Sequence, residues 1–126
     1  LSWADHIIVL QDGEIIQTGS PKEIYYYPIN AYTAGLLGDY NFIEKDASLR
    51  SSLNLPSNRL YFRPEEFMIA DRVENTTHGI IEQQLFYGNH HKLKLNTNGK
   101  KFELLVRNTS LTVGEEISIE FNSTHR

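Results

Sequence analysis

The chain has 126 residues, a formal net charge of −4 and no cysteine. The lack of cysteine excludes a disulfide framework, a thiolate metal site and a cysteine nucleophile. The mild acidic excess argues against a surface built to bind nucleic-acid phosphates, because such surfaces are usually basic. The sequence starts at Leu1 and its single methionine is Met68. We therefore expect it to be a piece of a longer protein.

The sequence opens with a predicted β-hairpin. Two apolar runs, residues 6–10 and 14–18, flank the dipeptide Asp12-Gly13. That dipeptide is typical of a two-residue turn between antiparallel strands. We expect Gly19 to break the ladder after the second strand.

Two short helices are predicted to follow the hairpin. Ser20, Pro21 and Glu23 combine an N-cap, a proline at the first helical position and a capping box. Pro28 ends this helix, because its ring cannot continue a helical backbone. A second helix is predicted over residues 31–37. The apolar positions of the hairpin and first helix would need cover, either by self-association or by packing on the rest of the chain.

The rest of the sequence is predicted to be mainly β. Residues 48–57 are polar and predict a loop. The predicted strands then occupy residues 59–63, 67–70, 79–87, 91–95 and 101–106, with a last inward face at Ile117, Ile119 and Phe121. Asn98-Gly99 is the clearest hairpin turn. Short strands spaced by about 8–12 residues indicate a sandwich or a small barrel.

Two stretches carry a resemblance to a known family. The sequence from Trp3-Ala4-Asp5 to Glu23-Ile24-Tyr25 closely resembles the end of the nucleotide-binding domain of ABC transporter ATPases. Phe62-Arg63-Pro64-Glu65-Glu66 resembles the Arg-Pro-Glu turn of TOBE, the accessory domain that follows the ATPase domain in importers. The stretches 79–82, 85–89 and 113–117 resemble further strands and turns of that domain.

The resemblance implies a mainly β fold, namely an OB-like small barrel of TOBE type preceded by a β-hairpin and two short helices. Residues 1–38 would be the tail of the nucleotide-binding domain, and residues 39–126 a regulatory and dimerisation domain. The longer protein would be the ATP-binding subunit of an importer for sugars, polyamines, ferric iron, sulfate or molybdate. It would use ATP and Mg²⁺, form a homodimer, bind membrane permease subunits and work at the cytoplasmic face of the plasma membrane.

The motifs that bind and hydrolyse ATP are not in this sequence. It contains no G-x-x-x-x-G-K-[ST] phosphate loop. In the family, the helical signature, the Mg²⁺-binding carboxylates and the switch histidine all precede the region that this chain resembles. We therefore expect no catalytic residue, no metal and no cofactor in this piece.

Five residues are candidates for a subunit-interface or regulatory site: Arg63, Glu65, Tyr87, Gly88 and Asn89. They lie in the two TOBE-like turns, and the resemblance implies contacts with a second subunit or a small-molecule regulator. A structural interpretation is also open. In that interpretation Pro64 presets a tight turn, and Arg63 and Glu65 pair locally.

Two other functions remain open. The barrel could bind a small oxyanion such as molybdate, as some barrels of this family do. It could also be an OB-type nucleic-acid module, with Lys92, Lys94, Lys100 and Lys101 as its basic groove. We favour a solvated strand edge protected by lysines, and we expect no nucleic-acid partner.

Overall fold

The computed structural model describes residues 5–107 and 110–123. Trp3 and Ala4, at the start of the family motif, lie outside these residues. The elements in chain order are β1 (Ile7–Gln11), β2 (Glu14–Gly19), α1 (Pro21–Tyr26), α2 (Ala31–Leu37), β3 (Asn41–Phe42), α3 (Leu49–Leu53), β4 (Tyr61–Phe62), a 3₁₀ turn (Pro64–Glu66), β5 (Phe67–Ile69), β6 (Thr76–Phe86), β7 (His91–Thr97), β8 (Lys100–Val106) and β9 (Glu116–Phe121).

The predicted N-terminal hairpin is confirmed. Strands β1 and β2 pair antiparallel. The turn residues Asp12 and Gly13 both have positive φ, 52° and 81°, as a two-residue turn that matches strand twist requires. Gly19 does not break the ladder as expected. It is the last residue of the strand and pairs with Ile7, because a glycine in extended backbone can still contribute to the ladder.

The two short helices begin where the capping signals predict. The Ser20 hydroxyl accepts a hydrogen bond from the Glu23 amide, and the Glu23 carboxylate accepts one from the Ser20 amide. The Asn30 side chain caps α2 by accepting from the Thr33 amide at 2.9 Å. These bonds satisfy donors that the first turn of a helix leaves unpaired.

The main sheet is a curled antiparallel half-barrel of five strands in the order β5-β9-β6-β7-β8. The sheet curls enough for its two edge strands to meet, since the Phe67 ring on β5 lies 4.6 Å from the Phe102 ring on β8. The short pair β3–β4 forms a separate two-stranded sheet. The predicted mainly β fold is confirmed, and the curled sheet is consistent with an OB-like small barrel.

One hydrophobic core lies inside the curl. Its members are the inward residues of the strands together with residues around α3: Ile43, Leu53, Leu55, Phe62, Phe67, Ile81, Leu93, Leu95, Phe102, Leu104, Ile117, Ile119 and Phe121. Leu93 and Leu95 alternate with polar residues, as predicted. The Phe62 ring contacts Phe67 and Phe121 edge-on, an arrangement that adds to the burial energy.

Three predicted elements differ from the structure. The predicted loop 48–57 contains helix α3, which forms because Leu53 enters the core and Asn54 ends the helix in a left-handed conformation. The predicted strand 59–63 is reduced to Tyr61–Phe62, because Arg59 and Arg63 turn inward to bind other groups. The predicted strand 79–87 begins three residues earlier and ends at Phe86.

The hairpin is covered on one face. Val9 on β1 is buried, as is Ile24 on α1. On the other face of the hairpin, Ile8, Leu10 and Ile15 are 56%, 56% and 62% exposed. The outer face of the β1–β2 hairpin is therefore apolar and open in this chain. No helix among the described residues is long and apolar enough to cross a membrane.

Candidate functional site

The turn that carries Arg63 is a fastening point between the helices and the barrel. Arg63 is 1% exposed. Its Nε donates to the Tyr25 carbonyl at 2.9 Å, and its Nη1 donates to the carbonyls of Ala34, Gly38 and Asp39 at 2.9, 3.0 and 3.0 Å. The guanidinium thus binds the last carbonyls of α1 and α2, where a helix has unpaired acceptors and attracts cations.

Glu65 binds the same helix from the other side of the turn. Its carboxylate accepts a hydrogen bond from the Tyr25 hydroxyl at 2.5 Å, while the Arg63 guanidinium lies 4.1 Å from the Tyr25 ring centre. Arg63 and Glu65 therefore both hold Tyr25. Burial, followed by the bond to Glu65, raises the pKa of Tyr25 well above its ordinary value.

The other three predicted site residues form the tip of the β6–β7 hairpin. The Tyr87 amide donates to the His90 carbonyl at 2.9 Å, and Gly88 has a φ of 92°. The Asn89 side-chain oxygen lies 2.7 Å from Nδ1 of His90. The rings of Tyr87 and His90 stack with centres 5.3 Å apart. The tip is closed by its own contacts and presents a tyrosine that is about half exposed.

A cleft of about 240 Å³ lies between this hairpin tip and the Arg63-Pro64-Glu65 turn. Glu65 and Tyr87 both line it, together with Tyr25, Asp39 and Lys92. Arg63 lies behind the Tyr25 ring, and Gly88 and Asn89 are not among the lining residues. The fold therefore joins two of the five predicted residues in one cleft and places the other three around it.

Lys92 is the charged centre of the cleft. Its ammonium group binds the Asp39 carboxylate directly, lies 3.8 Å from Glu103 and sits 5.5 Å from the Tyr87 ring centre. The bond to Asp39 raises the pKa of Lys92, so the group stays charged at neutral pH. The cleft combines carboxylates, one ammonium and tyrosine rings, which suits a contact or binding surface.

Among the described residues, no three or more histidine, aspartate or glutamate side chains lie close enough together to hold a metal ion.

Comparison with known proteins supports the resemblance that the sequence motifs carry. No family model matches the chain. The chain is 29% identical, over an alignment 136 positions long, to the spermidine/putrescine import ATP-binding protein PotA of Acetivibrio thermocellus. It is 28% identical, over an alignment 135 positions long, to the PotA of Borrelia garinii subsp. bavariensis. Each match covers 94% of this chain. The chain is thus similar to these import ATP-binding proteins over nearly its whole length.

The chain spans only 38% of the length of each of these relatives. A piece of an ABC importer ATP-binding subunit, as the motifs predicted, fits this pattern. The resemblance therefore extends over nearly the whole chain, including the β-rich part.

Two further arginines, Arg59 and Arg50, have structural roles that were not predicted from the sequence. Arg59 and Glu66 form a buried bidentate ion pair, with N–O distances of 2.8 and 2.7 Å. Arg50 donates to the carbonyls of Glu44, Ile43 and Pro56 at 2.8–2.9 Å, and also to that of Arg59. Arg59 and Arg63 flank the apolar run Leu60-Tyr61-Phe62. That setting is the one local sign that their side chains turn inward.

The lysines of the supposed basic groove are largely paired. Lys92 binds Asp39, Lys100 binds Glu44 at 2.9 Å and Lys101 binds Glu82 at 2.7 Å. Each ion pair cancels charge that a phosphate or an oxyanion would need. Lys100 and Lys101 lie exposed on the edge strand β8, as the interpretation of a solvated strand edge requires, whereas Lys92 and Lys94 lie on the inner strand β7.

Proposed function

We propose that this chain is the regulatory and dimerisation part of an ATP-binding subunit of an ABC importer. In the longer protein, ATP and Mg²⁺ would be bound outside this region, and hydrolysis would drive solute uptake. Residues 1–38 would be the tail of the nucleotide-binding domain and residues 39–126 the TOBE-type domain. The names of the relatives point to spermidine and putrescine as the transported substrates.

The observation that carries this proposal is the match across 94% of the chain, which joins the helical segment and the barrel in one order. The contacts between the two parts support it. Arg63 and Glu65 bind α1 and α2 over sequence separations of 25 to 40 residues. A barrel fastened in this way would follow any displacement of the helices, as a domain that holds two subunits together during turnover must.

The proposed partners are a second ATP-binding subunit and the permease subunits of the importer, at the cytoplasmic face of the plasma membrane. The proposed contact site on the barrel is the β6–β7 tip with its cleft, where a second subunit or a small-molecule regulator would bind. Tyr87 and Phe86 are exposed there, and exposed aromatic side chains are typical of interface anchors.

A chimeric importer tests the proposal. The segment of the Acetivibrio thermocellus protein that matches this chain is replaced by the whole chain, and ATP-dependent spermidine uptake is measured in vesicles with the cognate permease. Deletion of the same segment serves as the reference. We expect the chimera to restore dimerisation and uptake relative to the deletion. Uptake no better than with the deletion would contradict the proposed function.

The contact site is tested in the same chimera with matched surface variants. Tyr87→Ala should weaken dimerisation or regulation. Val73→Ala should leave both unchanged, because Val73 is an almost fully exposed apolar residue outside the cleft. Equal effects of the two variants would exclude the β6–β7 tip as the contact site.

A further inference from the structure

The segment that follows α2, residues 39–44, lies along the outer edge of the barrel, and we refer to it as the strap. On one side the strap joins β4 through its backbone. Asn41 and Phe42 pair with Phe62 and Tyr61, and the Ile43 amide donates to the Leu60 carbonyl at 2.8 Å. Ile43 is also buried in the core. The strap is therefore firmly anchored on this side.

On its other side the strap meets β7 and β8 through side chains. In the described part of the chain, the hydrogen bonds and ion pairs across this seam are Asp39 to Lys92, Asn41 to Glu103 and Glu44 to Lys100. The two ion pairs involve exposed carboxylates, and such pairs contribute little to stability. The two hydrogen bonds of the Asn41 side-chain amide are thus the main interaction across the seam.

Asn41 substitutes for a neighbouring strand at the edge of β8. Its Nδ2 donates to the Glu103 carbonyl and its Oδ1 accepts from the Glu103 amide, both at 2.8 Å. Thr97 and Lys100 flank the two-residue turn and bond to each other, so by alternation the backbone groups of Phe102 and Leu104 also bond to β7. Because backbone groups alternate in direction along a strand, those of Lys101, Glu103 and Leu105 face away from β7. The Asn41 side-chain amide therefore binds Glu103, the middle one of the three outward-facing residues.

The two sides of the strap differ in what would be lost on opening. Separation from β4 would break backbone bonds and expose Ile43. Separation from β8 would break two amide hydrogen bonds and two weak ion pairs. We infer that the seam between the strap and β8 opens locally, without unfolding of the sheet, and that Asn41 is the residue that closes it. The strap stays with β4 when the seam opens.

This opening is a conformational device built into the fold. The strap continues directly from α2, and Arg63 binds the Asp39 carbonyl. Opening of the seam would expose the outward backbone groups of Glu103 on β8, next to the part of the chain that carries the helices. The inference rests on the geometry of the chain and stands whether or not the proposed function is correct.

Amide hydrogen exchange of the full 126-residue chain, followed residue by residue by NMR, tests the inference. In the unmodified chain we expect the Glu103 amide to exchange more slowly than the outward amides of Lys101 and Leu105. We also expect it to exchange faster than the Phe102 and Leu104 amides, which bond to β7. Glu103 exchange at the same rate as Phe102 and Leu104 would overturn the inference, because the seam would then open only with the sheet.

Substitutions at Asn41 give the second arm. Asn41→Ala should accelerate Glu103 exchange by about tenfold or more, because the Glu103 backbone loses both of its hydrogen bonds to the Asn41 side chain. The Phe102 and Leu104 amides should change little. Asn41→Asp keeps an acceptor for the Glu103 amide but loses the donor, so it should accelerate Glu103 exchange less than Asn41→Ala does. The aspartate variant also replaces the alanine variant in this test if the latter folds poorly.

Asn96→Ala is the matched control, because Asn96 is an amide side chain on β7 that bonds the Gly99 amide in the β7–β8 turn, away from the seam. It should leave Glu103 exchange unchanged. An Asn41 variant that behaves like the Asn96 variant at Glu103 would overturn the assignment of Asn41 as the closing residue.

Discussion

The replacement of Arg63 by alanine is the most direct test of how this chain is held together. The substitution removes four hydrogen bonds from a charged donor, to the carbonyls of Tyr25, Ala34, Gly38 and Asp39. It also removes a side chain that is 1% exposed and leaves a cavity behind. Breaking a buried charged network of this kind costs about 3–5 kcal/mol.

A lysine at position 63 separates charge from geometry. Lysine keeps the positive charge but cannot present the planar fork that reaches α1 and α2 together. We therefore expect Arg63→Lys to lose about 2 kcal/mol, less than alanine but more than a surface change. Lys101→Ala is the control, because Lys101 forms an exposed ion pair with Glu82 at 2.7 Å. Its loss should be under about 1 kcal/mol.

The assay is equilibrium unfolding in urea for all three variants, with amide exchange to locate the change. In the Arg63 variants, the amides of α1 and α2 should lose protection while those of β6 and β9 keep theirs. A free energy of unfolding for Arg63→Ala equal to that of Lys101→Ala would refute the reasoning. The four bonds would then be worth no more than the hydration that they replace.

The remaining predictions concern single substitutions at four positions. The raised pKa of Tyr25 means that the folded chain holds the phenol proton more tightly, so this stabilisation is complete below about pH 10 and is lost as the pH rises beyond it. Tyr25→Phe should flatten the loss of stability above pH 10 in pH-dependent urea unfolding. Gly79→Ala should destabilise by about 1–3 kcal/mol, because a Cβ there would lie 2.8 Å from the Thr97 hydroxyl. Gly35 lies in α2 with room for a methyl group, so Gly35→Ala should stabilise the chain by up to about 1 kcal/mol. Thermal unfolding measures both glycine variants, and a change of stability in the same direction for both would contradict these predictions. Ile24→Ala should cost about 2–5 kcal/mol in the same measurement, because Ile24 is fully buried.

The sequence predicted those features whose causes lie within a few residues. The turns at Asp12-Gly13 and Asn98-Gly99 form because these residues accept positive φ. The start of α1 follows from the Ser20 capping box, which closes over three residues. The alternation in β7 and β8 predicted which side chains enter the core, since successive residues of a strand face opposite sides.

The site was predicted less completely. The sequence marked Arg63, Glu65 and Tyr87 as residues of interest through the family resemblance. It gave no sign that Glu65 and Tyr87 share a cleft, or that Arg63 lies buried behind Tyr25. These relations join residues about 20 to 40 positions apart, and no local pattern encodes such a distance.

Local sequence alone determined the turns, the helix starts and the apolar faces of the long strands, because each depends on backbone preferences and short-range bonds. The tertiary structure decided the rest. Residues 49–53 form a helix because Leu53 reaches the core, and Asn41 closes the barrel edge because folding brings it to Glu103. Arg63 joins the helices to the barrel because their carbonyls converge on one guanidinium. Such contacts exist only after the chain has folded, and their energies outweigh the weak local preferences of the residues involved.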